Sequence, residues 1–534
     1  MKQAAVPLRK TRLFSELLLD YIDGAPGLKP FYNLPPEPSS YAKLMEQRSF
    51  SPEKRKLLSD VLKEQYDRIP LDENSKVAKN IESLQHEITY TVTTGHQLNA
   101  LTGPLYFIYK IVTAIKLSEE LKAAHPDKHF VPVYWMATED HDFAEISEVF
   151  FFGKKFFWKA DENYKGAVGL MPAKSIAPLM DEVAALFKND ERALTLLWLF
   201  RNSYMGSANL AEATRKIAHA LFGDYGLLVL DPDNAMLKKE LVPVMRRDIL
   251  KREHFTLINE TNTKLQEKYK TQVNPREINF FYLLENARER IVFENGVYKV
   301  LNTDLVFSEA EMEKQVEEKP ELFSPNVVMR PLYQELVLPN LAYIGGPAEV
   351  AYWLQLKKVF DVNGISFPIL HLRDHFLIAG KGITNKLQSM KLDFEDLFAD
   401  EQQLAVRFKK EDAGEEEGSL GSELENFRQL YGRISGSIGG KLDKELVNEF
   451  HSSFRAQLEM LKTIDRELQK YNRSRMGSEL EAVAKLREKA FPGGQPQERI
   501  ENVLAYYSFF EEDFISIIHQ ATDPFRSELK VLYV

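Results

Sequence analysis

The chain has 534 residues, a formal net charge of −10 and no cysteine. Its length exceeds one ordinary domain, so a large core with an appended domain is expected, and 44% hydrophobic residues are ample for that core. The absence of cysteine excludes disulfides, thiolate zinc sites and a cysteine nucleophile, while the acidic balance argues against broad nucleic-acid binding, which needs clustered Lys and Arg.

Residues 1 to about 85 read as mostly helical, with Pro-rich punctuation at Leu34–Pro38 and a capped helix start at Ser51-Pro52-Glu53. Basic residues Lys2, Arg9, Lys10 and Arg12 precede only a short apolar run, Leu17–Leu19, which is no signal peptide. The best apolar stretch, Leu194–Phe200, is far too short to span a membrane. A cytoplasmic protein with no membrane or nucleic-acid partner is expected.

The stretch from Ile88 to Ile146 reads as one βαβ unit. Ile88–Thr93 is rich in β-formers, Leu105, Ile108, Ile111, Val112, Ile115 and Leu121 make a helical stripe after Pro104, and Phe130–Met136 is a second strand. Ligands of open α/β sheets bind at the carboxyl ends of such strands. The polar clusters Thr94-Gly95-His96-Gln97, with Gly103 beyond it, and Thr138-Glu139-Asp140-His141-Asp142 fall there.

Val149 to about Lys174 is aromatic and basic and reads as core strands; helices are expected over 175–222. Gly226–Leu230 is a buried parallel strand ending at Asp231, followed by a helix from about Ala235 to Leu257. Residues 275–320 give hairpin pieces, with Glu294-Asn295-Gly296 as a turn. The core resumes near Ser324 with a strand at Leu341–Ile344, the turn Gly345-Gly346-Pro347, a helix over Ala348–Phe360 carrying Glu349, and a strand at Ile365–Leu370. His371, Arg373 and His375 follow; Arg373 suits a carboxylate or phosphate. Ala379–Thr384 lacks P-loop spacing. Beyond Asp393 an acidic spacer, Glu415–Gly418, precedes two helices with a narrow apolar seam, bent at Gly436–Gly440 and stopped at Phe491–Gly494. A helical segment through Val503–Phe510 and a terminal strand at Lys530–Val534 complete the chain.

Two glycines ahead of a helix let N–H groups approach an anion, so Gly345 and Gly346, like Gly95 and His96, are expected to hold one. His96 is placed on a loop beyond its strand. If Thr138–Asp142 is extended, Glu139 and His141 point to one side and Asp140 and Asp142 to the other, so not all converge. Asp142 is then expected to be the better-held carboxylate, orienting His141 or an amine, with Glu139 nearer the loop backbone.

The segments TTGHQ, TGPLYFIYKIVTAIKLSEEL, VPVYWMATEDHDFAEI and YIGGPAEVAYWLQL resemble the signature segments of the bacillithiol-biosynthesis cysteine-adding enzymes (BshC), and the likeness runs over most of the chain. The resemblance implies a Rossmann-like α/β core, a doubly wound parallel sheet with inserted connecting segments, and an α-helical coiled-coil domain used for homodimerisation. It implies amide-bond formation between cysteine and glucosaminyl-malate. The expected division is 1–148 for N-terminal helices and half the core, 149–323 for core strand and insertions, 324–393 for the second half, 394–490 for the coiled coil and 491–534 for a returning segment.

The residues assigned to catalysis are His96, Glu139, Asp140, His141 and Asp142. Those assigned to substrate or nucleotide are Thr94, Gly95, Gln97, Gly103, Gly345, Gly346, Glu349 and Arg373. A carboxylate needs activation before an amine can displace its oxygen, so ATP or another nucleotide is an open cofactor; no metal is assigned. Two readings stand as alternatives: a metal-dependent hydrolase built on the Thr138–Asp142 cluster, and a dimeric scaffold that binds a nucleotide passively.

Overall fold

The computed structural model of the chain describes residues 3–160, 164–412, 420–510 and 513–534. The chain forms two compact units, Met1–Ile378 with Gln495–Val534, and Ala379–Gly494.

The first unit is built on five parallel strands: β1 (Thr89–His96), followed by helix α1 (Tyr106–Ala124), β2 (His129–Met136), β3 (Leu228–Leu230), β4 (Asn340–Gly345), helix α2 (Pro347–Trp353) and β5 (Ile369–Leu372). Their order across the sheet is β5-β4-β1-β2-β3. The chain thus winds outward from β1 in one direction, then returns to start again at β4, which makes the β1/β4 boundary the switch point of a doubly wound sheet. Every residue of β1 is buried, which suits a central strand covered on both faces. Three of its threonines are satisfied there, while the buried Thr89 Oγ1 has no partner among the described residues. Thr91 and Thr93 hydroxyls donate to Asn340 Oδ1 at 3.1 and 2.8 Å, and Thr94 Oγ1 donates to the Ile344 carbonyl at 2.8 Å.

β1 runs through Gly95 to His96, which pairs with Met136, so His96 ends a strand and is not on a free loop. Between β1 and α1 the backbone makes a left-handed corner, with φ of 51° at Leu101, 72° at Thr102 and 65° at Gly103. A Cβ at Gly103 would lie 2.6 Å from the Asn99 side chain. Asn502, 399 residues further on, donates to the Leu101 and Gly103 carbonyls at 2.8 and 2.7 Å and pins the corner.

Several expected elements are broken. The helix expected over Ala348–Phe360 splits into α2 and Lys357–Val362. Gln355 lies between them, wholly buried, donating to Asn262 and the Val273 carbonyl and accepting from the Gln272 and Val273 N–H groups. The helix expected from Ala235 is interrupted by Pro243, a π turn at Arg246–Leu250 and a left-handed Arg252. The aromatic segment after Val149 is a separate hairpin, Glu148–Phe151 with Lys154–Phe157, not part of the parallel sheet. Residues 280–325 form an antiparallel five-stranded sheet whose Asn295-Gly296 turn has φ of 54° and 80°, as its sequence indicates. Phe510 lies outside any helix; the helix comes later, at Phe514–Ala521. Glu528–Tyr533 joins a three-stranded sheet with Gln3–Pro7, a strand unforeseen in the sequence, and His375–Ala379.

The second unit contains helices α3 (Gly421–Ile438) and α4 (Lys444–Ala490), antiparallel about a turn at Gly439-Gly440. Tyr431 of α3 stacks on Phe450 and Phe454 of α4. In α4 only Val483, Leu486 and Ala490 are buried, near the end where Arg487 donates to the Leu397 carbonyl. The acidic spacer Glu415–Gly418 lies outside the described residues. Among the described residues no helix is long and apolar enough to cross a membrane.

Candidate active site

The carboxyl ends of β1, β2 and β4 open into a cleft of about 910 Å³ in the first unit. Gly95-His96-Gln97 and Thr138–Asp142 line it, as do Gly346 and Glu349, Arg373, and residues of the inserted segments. Thr94, Gly103 and Gly345 are not on its wall; they build the strands and the corner behind it.

His96 is 9% exposed, and its Nε2 has no hydrogen-bond partner. Its ring lies edge-on to Tyr106 at 5.1 Å and tilted against Phe107 at 5.3 Å. Burial, with Lys110 and Arg373 close by, lowers the imidazole to about 3, so His96 is neutral near pH 7. Gly95 is narrow for a reason: a Cβ there would meet Arg330 at 3.1 Å and the Tyr343 hydroxyl at 3.2 Å.

The Gly345-Gly346 turn does not offer free N–H groups. Glu349 Oε2 accepts from the Gly346 N–H at 2.7 Å, and Glu349 also accepts from the Tyr343 hydroxyl at 2.7 Å and Lys110 Nζ at 2.6 Å. The expected anion position is therefore filled by the protein's own carboxylate. Burial alone would raise Glu349, but Lys110 and these donors hold it down to about 2. Lys110 also donates to the Gly95 carbonyl, tying the two strand ends together.

The strand β2 stops at Met136 and the chain turns, with Asp140 N–H donating to the Ala137 carbonyl at 3.3 Å. The alternation expected from an extended segment is thus absent, and all five residues Thr138–Asp142 reach the cleft. The expected order of burial is reversed, Glu139 and not Asp142 being the better-held carboxylate. Glu139 is buried and ion-paired at 2.6 Å to Lys238, itself wholly buried and 2.9 Å from Asp233. Asp142 is exposed, caps a short helix by accepting from the Glu145 N–H at 3.2 Å, and forms no ion pair among the described residues. Asp140 accepts from Gln97 Nε2 at 3.0 Å and the His141 N–H at 2.8 Å. His141 meets Arg288, whose Nη1 lies 3.0 Å from Nδ1. Among the described residues no three His, Asp or Glu side chains are grouped to hold a metal ion.

Arg276, Arg288, Arg330, Arg373 and Arg499 add guanidinium groups to the lining. Arg330 is stacked 5.2 Å over Tyr343 and has Nη2 buried without a partner. Arg373 is fixed by buried Glu498, at 2.7 Å, which His375 Nδ1 also meets at 2.6 Å. His371 and His375 are buried off the cleft. Arg276 and Arg499 are exposed and make no ion pair among the described residues.

The sequence matches the family described as Bacillithiol biosynthesis BshC, with its N-terminal Rossmann-like domain over residues 1–374 and its C-terminal coiled-coil domain over residues 376–534. A relative from Flavobacterium psychrophilum is 39% identical over 100% of this chain and 99% of its own. The chain belongs to the BshC family. Relatives from Flavobacterium johnsoniae, 38% identical over 98% of each chain, and Cytophaga hutchinsonii, 37% identical over 97% of this chain and 96% of its own, share with the first the name "Putative cysteine ligase BshC".

Set in this family's two-domain frame, the residues missed in the sequence fall into two kinds. Lys110 left a signal, since it is the one charge in the apolar run Leu105–Ile115. Arg288, Lys238, Glu498 and Arg499 left none, because each reaches the site from a segment about 90 residues or more away from the strand end it serves.

Proposed function

We propose that the chain is a carbon–nitrogen ligase that joins the carboxyl group of cysteine to the glucosamine nitrogen of glucosaminyl-malate. The name of its relatives supports a ligase. The observation that carries the reading is the charge layout of the switch-point cleft: among the described residues Arg276 and Arg499 pair with no carboxylate and Asp142 with no cation, and all three line the cleft. Such a cleft accepts a ligand bearing both anionic groups and an amine.

In this reading the guanidinium groups of Arg276 and Arg499 receive the malate carboxylates. Neutral His96, backed by Tyr106 and Phe107, contacts the carboxyl group of cysteine in its activated form. ATP or another nucleotide is the activating donor. The acceptor nitrogen attacks the activated carbonyl carbon, the C–N bond forms, and phosphate or the nucleoside monophosphate leaves with its oxygen and the electrons of the broken C–O bond. Asp142 takes the proton lost by the nitrogen. Glu139 and Asp140, held by Lys238 and by Gln97, shape the loop.

The helical unit is read as a homodimer contact. Leu446, Met460, Ile464 and Tyr471 on α4 are 51, 62, 47 and 64% exposed, an apolar stripe that the α3–α4 pair leaves open. The enzymatic reading is tested by incubating purified protein with cysteine and glucosaminyl-malate, with and without ATP, and weighing the product by mass spectrometry. An amide product is expected; none with any nucleoside triphosphate would overturn it.

A further inference from the structure

Arg288 reaches the cleft from the strand Ala287–Glu294 of the inserted antiparallel sheet, and each of its nitrogens is spoken for. Nε donates to Ser324 Oγ at 2.9 Å, Nη2 donates to the Pro325 carbonyl at 2.9 Å, and Nη1 lies 3.0 Å from His141 Nδ1. The guanidinium carbon sits 4.0 Å over the Phe281 ring, and the residue is 8% exposed. A guanidinium group has only donors and keeps its protons at every ordinary pH. The atom it meets at 3.0 Å must therefore offer a lone pair.

We infer that Arg288 is a positioning residue that locks His141 in the neutral tautomer with its proton on Nε2, so that His141 serves the cleft as a hydrogen-bond donor and not as a base. The rival arrangement is a doubly protonated His141 paired with Asp140. It would set the Nδ1–H against an Arg288 N–H at 3.0 Å, for an ion pair with Asp140 Oδ1 at only 3.7 Å. That oxygen is already taken by the His141 N–H at 2.8 Å. The other groups facing the ring are Asp142 and Glu289, both attractive to a charged imidazole, and the Phe281 ring at 5.5 Å. Burial and Arg288 outweigh these carboxylates and lower the imidazole below its ordinary range.

Its catalytic meaning rests on the ligase reading: an Nε2–H fixed in advance suits the oxygen that gains charge when an amine adds to an acyl group. The tautomer itself does not depend on that reading. The test is imidazole ¹⁵N NMR on the full chain labelled at histidine, with His141 assigned by its loss in His141→Gln. A bare Nδ1, a protonated Nε2 and a neutral ring at pH about 6.5, where a free imidazole is half charged, are expected. In Arg288→Gln the ring should titrate at a higher pH than in the wild type and lose its fixed Nε2–H tautomer, and the pH–rate profile should gain one ionisation. A wild-type ring that is charged at pH about 6.5, or protonated on Nδ1, overturns the proposal even if the variant fails to fold. A variant that folds and keeps the neutral Nε2–H ring removes Arg288 as the cause. A locked ring in a protein that makes no amide would count against the ligase reading alone.

Discussion

The two units treat their sequence in opposite ways. The Rossmann-like unit buries cations against carboxylates: Lys238 with Glu139 and half-buried Asp233, Lys110 with half-buried Glu349, and Arg373 with Glu498. The helical unit exposes its apolar side chains, with Leu442, Leu446, Met460 and Ile464 all more than 45% accessible. Buried ion pairs are weak sources of net stability, because desolvation consumes much of the attraction. Their value lies in holding groups at fixed positions, which is what a site needs. Exposed apolar stripes hold nothing in place within one chain; they are surface awaiting cover.

If the first unit holds the chemistry, the largest effects fall there. His96→Ala should lower amide formation by about 10²–10⁴-fold while circular dichroism still shows a cooperative unfolding transition. Asp142→Asn should fall in the same range with little change in melting temperature, because Asp142 is exposed. Wild-type turnover in a folded variant of either kind would remove that residue from the mechanism.

Lys238→Met is the next largest. It strands Glu139 in the interior and leaves half-buried Asp233 without its cation, and breaking a buried pair in this way costs about 3–5 kcal/mol. Chemical denaturation measures it; a loss under about 1 kcal/mol would mean that water reaches the pair.

A smaller, graded effect is acid lability. His96 binds its proton more weakly folded than unfolded, so its contribution is intact above its ordinary 6.5 and lost as pH falls toward about 3. Glu349 and Glu498, both held near 2 despite burial, add their losses as pH falls from 4.5 toward 2. His371, buried and lowered to about 4, loses stability in the same window, so melting temperature should decline in two stages below pH 6.5 and His96→Gln should shrink the first. An unchanged first stage would locate it in another group.

The smallest effect on folding belongs to the helical unit. Leu446→Glu with Ile464→Glu should change stability by no more than about 0.5 kcal/mol each, as surface substitutions do. Light scattering should nonetheless show a dimer becoming a monomer. A monomeric wild type, or a dimeric double variant, breaks the contrast between the units.

What could be read in the sequence follows the same divide. Periodicity revealed β1, β2, β3 and β4 and the helical pair, because burial on two faces and an exposed seam each leave a local pattern. The position of Asn295-Gly296 was legible from backbone preference alone. The loop after β2 was misread as extended because nothing between Ala137 and Asp140 marks a turn as Gly or Pro would. Gln355 broke a good helical pattern through partners at Asn262 and Val273, which no window of neighbours contains. The same distance hid Arg288 and Glu498. Strand ends marked where the cleft opens, and long-range ion pairs set the state of its groups.

The most direct measurement of the central claim is a crystal structure of the full chain with glucosaminyl-malate. The sugar–malate is expected between the ends of β1, β2 and β4, with its carboxylates toward Arg276 and Arg499 and its nitrogen toward Asp142. An acceptor bound in an ordered pose away from this cleft, with His96 and Asp142 untouched, would contradict it.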